Sequence, residues 1–169
     1  MTQSSPRFDY PRELRMASDA RLRLSTVRDV DLILNWSQDP RVFAWWEGRP
    51  LSREEVEEKY VGARLPDVIV YIIERDNEPI GLVQAWHEGN QSGMDMFLSG
   101  PAQGQGLGPL VARALASDLT ERGWSNITAD PAVDNRRAVR AWQKAGFVVS
   151  GEMGTEDGHQ TQIMVFRPS

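Results

Sequence analysis

The sequence predicts one mixed α/β domain, and three observations carry that expectation. The chain has 169 residues, a length at which a single core buries roughly two thirds of the unfolded surface. β-Rich runs joined by turns fill its middle, over 68–74, 80–87 and 93–99. Two helical patterns, 110–122 and 135–145, then alternate with strand-like runs at 126–130, 147–153 and 159–166.

Residues 1–19 are rich in Ser, Pro and Arg without periodicity and read as a loosely ordered arm, leaving 20–169 as the domain. Leu22, Leu24 and Thr26 alternate as a first strand, and Asp29 caps a short helix carrying Leu32, Ile33 and Trp36. Ser52 and Glu55 have the spacing of a capping box. Glu54, Glu55, Glu57 and Glu58 fill the acidic end of the helix it opens, while Val56, Tyr60 and Ala63 share one face. Asp76-Asn77-Glu78-Pro79 reads as a hairpin turn, and 93–99 continues the meander. Helix 110–122 turns Leu110, Val111, Ala114, Leu115 and Leu119 inward and ends at Gly123. Gly146 stops the next helix, and Asp157-Gly158 joins the last two strands.

Composition excludes several classes of function. Acidic residues outnumber basic ones, 24 to 19, for a formal net charge of −5. That balance argues against a nucleic-acid partner and suits a cationic substrate. With no cysteine, disulfides, thiolate metal sites and cysteine nucleophiles are ruled out. His87 and His159 are too few and too far apart to suggest zinc. No apolar run reaches the roughly 18 residues of a membrane span, and the first residues lack the apolar centre of a signal peptide, so a cytoplasmic protein is expected.

The run Gln103-Gly104-Gln105-Gly106-Leu107-Gly108 stands between a strand pattern and a helix pattern. Such a turn lets backbone approach a pyrophosphate, with the N–H groups of the helix start aimed at the anion. Pro109-Leu110 replaces the Lys-Ser or Lys-Thr of a Walker loop. The dinucleotide fingerprint fails on glycine spacing and on the missing acidic residue. What remains is Gln-x-x-Gly-x-Gly. About thirty residues on comes Asn135-Arg136-Arg137-Ala138-Val139-Arg140-Ala141-Trp142-Gln143-Lys144-Ala145-Gly146-Phe147.

Together these two motifs resemble the GNAT superfamily of N-acyltransferases. The resemblance implies a single central mixed sheet, mostly antiparallel, flanked by helices, with acetyl-CoA as the cofactor. Gln103, Gln105, Gly106, Leu107, Gly108, Asn135, Arg140 and Lys144 are the candidate cofactor residues.

Acyl transfer to an amine needs that amine uncharged, and at a lysine-like pKa only about one molecule in a few thousand is free base at pH 7. Asp95, in the strand before the loop, and Asp130, after the next strand, are the candidate catalytic carboxylates. In the superfamily these strands splay apart around the reacting amine, so both can face it and accept a proton. Their plainer roles are a solvent-facing strand position for Asp95 and a strand-end turn for Asp130. Many members of the superfamily carry a tyrosine acid where this chain has Trp142, whose indole delivers no proton; packing is its expected role. A thiolate leaving group with a pKa of roughly 8.5 tolerates that loss.

Trp45-Trp46-Glu47-Gly48, Glu58-Lys59-Tyr60, Glu78-Pro79-Ile80-Gly81 with Gln84, and Thr128-Ala129-Asp130-Pro131 are similar to blocks of the aminoglycoside 6'-N-acetyltransferases. That similarity spans about 22–165. It implies an acceptor site of Trp46, Tyr60, Gln84, Asp95 and Asp130, with Asp157 a weaker addition. It also implies direct attack by an aminoglycoside amine in a ternary complex, by a monomer or homodimer without nucleic-acid or membrane partners. Rival expectations are a siderophore-type lysine N-acyltransferase, a protein N-terminal acetyltransferase and a CoA-binding module without chemistry.

Overall fold

A computed structural model describes residues 9–168. Eight strands form one sheet: β1 (Glu13–Arg15), β2 (Ala20–Leu24), β3 (Val68–Arg75), β4 (Glu78–Glu88), β5 (Gln91–Leu98), β6 (Ile127–Ala129), β7 (Phe147–Glu156) and β8 (His159–Phe166). Their spatial order is β1-β2-β3-β4-β5-β6-β8-β7, and every neighbouring pair is antiparallel except β5 with β6. The α-helices are α1 (Val30–Trp36), α2 (Pro40–Phe43), α3 (Arg53–Lys59), α4 (Leu107–Glu121) and α5 (Arg136–Ala145).

The near-continuous apolar run of β3 is explained by burial on both faces. Ile69, Tyr71 and Ile73 join a core with α4 and α5, including Val111, Leu115, Leu119 and Trp142. Val70 and Ile72 join a second core with Ile33 and Trp36 of α1 and Val56 of α3. The hairpin after β3 is tight because Asp76 and Asn77 both take positive φ, 51° and 64°, as a two-residue turn requires. Pro79 therefore lies inside β4, where it is tolerated beside a register shift at Ile73/Glu74.

Three expectations change. Of the expected arm, residues 1–8 lie outside the described residues, but 13–15 pair with β2 as an edge strand. That end is tied down: Tyr71 Oη donates to Pro11 O at 2.6 Å and Trp124 Nε1 to Asp9 O at 2.9 Å. Helix α4 starts three residues before the expected Leu110, so Leu107, Val111, Leu115 and Leu119 form its inward row while Leu110 is 38% exposed. Of the two capping signals, Ser52 and Glu55 cap α3 reciprocally, whereas Asp29 stands at the N-cap of α1 without a side-chain bond to it, its carboxylate accepting instead from Thr26 N and from Arg23. Asn135 Oδ1 accepts from Ala138 N at the start of α5. Among the described residues no helix is long and apolar enough to cross a membrane.

One seam positions the site. β5 and β6 share just two paired positions, Ser92 with Ile127 and Gly93 with Thr128. Beyond them the strands part, and the gap opens into a cleft of about 850 Å³.

Candidate active site

At one end of the cleft the loop before α4 forms a cradle. Gly104 and Gly106 have φ of 79° and 78°, and both face open space where a Cβ would stand. Gly106 is the N-cap of the 15-residue α4, which has no side-chain cap and no acid in its first turn. Its first N–H groups therefore point, with the helix dipole, toward an anion in the cleft. Arg136, Arg137, Arg140 and Lys144 of α5 line the same end. Among the described residues none of these four cations makes an ion pair. Bare helix N–H groups facing four unpaired cations fit the pyrophosphate and phosphate groups of a CoA thioester.

The other end is acidic. Gln84 and Asp95 are cross-strand partners on β4 and β5, and Gln84 Nε2 donates to Asp95 Oδ2 at 3.4 Å. Asp130 follows β6 across the seam, and it lines the cleft together with Asp95 and with Glu156 at the end of β7. The chain after β6 is stitched to β8 by Gln162 N to Pro131 O and Val133 N to Gln160 O, which sets Asp130 against the β7–β8 hairpin. Burial raises all three carboxyls, and their mutual repulsion raises them further: Glu156 acts on Asp95, Asp95 on Asp130, and Asp130 on Glu156. As one interacting set they titrate between about 6 and about 7.

Aromatic residues wall this end. Trp46 Nε1 donates to Tyr60 Oη at 3.2 Å, and Tyr60 Oη donates to Glu47 Oε1 at 3.0 Å. Burial, then the Glu47 charge, raises the Tyr60 phenol, so it is a structural donor and not a ready acid. Glu47 also accepts from Lys59 Nζ at 3.3 Å and holds a left-handed φ of 63°. Trp45 meets the ring of His159 at 5.2 Å between centroids, joining the loop after α2 to β8.

Trp46, Tyr60, Gln84, Asp95, Asp130 and Asp157 all line the cleft, as do Gln103, Gly106, Leu107, Gly108, Asn135, Arg140 and Lys144. Gln105 does not. Its side chain turns away, donating to Pro101 O and accepting from Arg75, so only its backbone is left for a cofactor role. The Gln103 amide is also engaged, with Nε2 donating to Arg41 O and Leu98 O. It braces the loop. Trp142 is buried, edge-on to Phe147 at 4.9 Å between centroids, consistent with packing.

Sequence reasoning missed Glu156, Glu47, Arg136 and Arg137. The two arginines had a signal, since cations in the first turn of a helix oppose its dipole and call for an anion nearby. Glu156 had a weaker one, its place beside the Asp157-Gly158 turn. The left-handed backbone of Glu47 had none.

Residues 25–155 match the Acetyltransferase (GNAT) domain family. The chain belongs to the GNAT acetyltransferase family. This acyltransferase is 33% identical over 157 residues to aminoglycoside N(6')-acetyltransferase type 1 of Klebsiella pneumoniae, covering 81% of this chain and 78% of that protein. Solved structures of AAC(6')-Ib, one with paromomycin and acetyl-CoA and one with ribostamycin and coenzyme A, superpose with a TM-score of 0.78 at 28% identity. They cover 88% of this chain and 93% of theirs. An acetyltransferase of Salmonella typhimurium that modifies the N-terminal serine of a 50S ribosomal subunit protein has a TM-score of 0.77 at 17% identity, covering 93% of this chain and 99% of that one. With that last protein the GNAT acetyltransferase shares the fold.

Proposed function

We propose that this enzyme is a cytoplasmic acetyltransferase that moves the acetyl group of acetyl-CoA to the 6'-amine of aminoglycosides, by direct attack in a ternary complex. The observation that carries this reading is the charge division of one continuous cleft, with anion-binding groups at one end and clustered carboxylates beside aromatic rings at the other. The relatives' names and bound ligands support the same pairing of donor and acceptor.

The bound thioester supplies an activated acetyl group. The α4 N–H groups and the α5 cations hold its phosphates. Trp46, with its indole N–H fixed by Tyr60, offers a ring face to the apolar side of a sugar. Asp95 and Asp130, across the seam, attract the ammonium and take its proton, and their raised affinity for protons brings them nearer the amine they must deprotonate. With no cysteine in the chain and donor and acceptor ends in one cleft, no acyl-enzyme is called for. Asp157, exposed on the hairpin, is placed for a second ammonium of the same sugar. Several carboxylates favour a polycation over the single α-amine of a peptide.

The test is thiol release from acetyl-CoA with an aminoglycoside bearing a 6'-amine, one bearing a 6'-hydroxyl, lysine and a peptide α-amine. Turnover with the first alone is expected. Turnover with lysine or peptide and none with the sugars overturns the acceptor while leaving the acyl transfer intact.

A further inference from the structure

Helix α2 is a single turn, too short to satisfy its own ends. The backbone N–H groups from Val42 to Trp46 take the carbonyls of Asp39, Pro40, Val42 and Phe43 in succession and pass over that of Arg41. Gln103 supplies the missing donor from 62 residues away, its Nε2 donating to Arg41 O at 3.1 Å and to Leu98 O, at the end of β5, at 3.0 Å. Beside this bond the Arg41 guanidinium occupies the space that a Cβ on Gly100 would take. The turn that carries Trp45 and Trp46 to the cleft is therefore fastened at two points to the start of the cofactor loop.

An amide nitrogen carries two hydrogens, and here two carbonyls use both. Two carbonyl neighbours also fix which way the amide faces. What is left of the Gln103 side chain is a carbonyl oxygen, which repels a diphosphate. Neither bond runs within 104–108, where the cradle lies. We propose that Gln103, although it belongs by sequence to the cofactor loop, is a positioning residue for the acceptor: it holds the α2 turn so that Trp46 stands in the cleft wall. This rests on the reading of Trp46 as part of the acceptor site. Without the bond to Arg41 O, a smaller fraction of the enzyme has that wall in place, and apparent acceptor affinity falls by the same fraction.

Gln103→Met keeps the length and bulk of the side chain and removes the donor. With kanamycin as the probe acceptor its KM should rise about five- to tenfold and kcat stay within about threefold of wild type. Acetyl-CoA affinity, measured by titration calorimetry, should stay within about twofold, because backbone N–H groups and the α5 cations hold the phosphates. In a Trp46→Leu background the same change should raise the acceptor KM by less than about twofold, since the ring it positions is already gone. A merely structural role would lower the thermal midpoint and leave the acceptor KM in place. Weakened acetyl-CoA binding with an unmoved acceptor KM overturns the proposal and returns Gln103 to the cofactor, and a full effect in the Trp46→Leu background overturns it too. Amide hydrogen exchange at residues 44–46 needs no acceptor: faster exchange in Gln103→Met is expected, and unchanged exchange overturns the proposal. A wild-type enzyme that does not turn over kanamycin overturns the acceptor assignment instead, and the exchange measurement still decides the role of Gln103.

Discussion

The two ends of the cleft are built in opposite ways. The cofactor end comes from two contiguous stretches, 103–108 and 135–144, and uses backbone N–H groups with side chains that make no ion pairs among the described residues. The acceptor end draws single residues from the loop after α2, the end of α3, β4, β5, the end of β6 and the β7–β8 hairpin. Its groups are already engaged with one another. The first end is a socket suited to an anion; the second is a set of like charges that a cation would relax.

The sharpest way to separate the ends is Asp130→Asn, which should lower kcat/KM by roughly 10²- to 10⁴-fold and leave acetyl-CoA affinity, measured by titration calorimetry, nearly unchanged. Loss of acetyl-CoA binding instead would place Asp130 at the wrong end.

Gly106→Ala strikes the other end. Its Cβ meets nothing within 4 Å, so the penalty is purely that of a left-handed backbone at φ 78°, roughly 1–2 kcal/mol. The KM for acetyl-CoA should rise about tenfold while that for the acceptor holds.

Strain at the acceptor end has its own signature. A carboxyl raised in the folded state binds more protons than in the unfolded chain, so stability falls as pH rises from the ordinary carboxylate range, roughly 4, toward neutrality. Asp95→Asn removes the most enclosed of these charges. Its thermal midpoint at pH 7.5 should exceed that of the unliganded wild type by a few degrees although its turnover is lost, and the gain should shrink as pH falls and vanish at about pH 4 or below. A midpoint that drops at both pH values would show that Asp95 stabilises the fold.

The smallest effect belongs to Tyr60→Phe, which leaves the Trp46 N–H without its acceptor and Glu47 with Lys59 alone. A loss of about 1 kcal/mol in stability and a few-fold rise in acceptor KM are expected. An unchanged acceptor KM would take Trp46 out of the sugar site.

Legibility in the sequence follows the same division. The hairpin turns, caps and helix stops were readable because each depends on neighbours within a few residues, as at Ser52 and Glu55 or at Gly146. The glycine loop was readable for the same reason. Glu156 was not, because what brings it to Asp130 is the stitching of 131–133 to β8, a long-range contact with no local mark. Leu110 was misplaced by one misjudged helix start, and the strand at 13–15 by a polar sequence whose partner is the edge of a sheet.

The two-residue pairing of β5 with β6 makes the sheet resemble two panels on a short hinge pin, β1 to β5 on one side and β6, β8 and β7 on the other. A molecule filling the gap touches both panels and acts as a splint. Amide hydrogens of β6 should then exchange more slowly once the cleft is occupied, reporting occupancy from a strand that carries no reacting group.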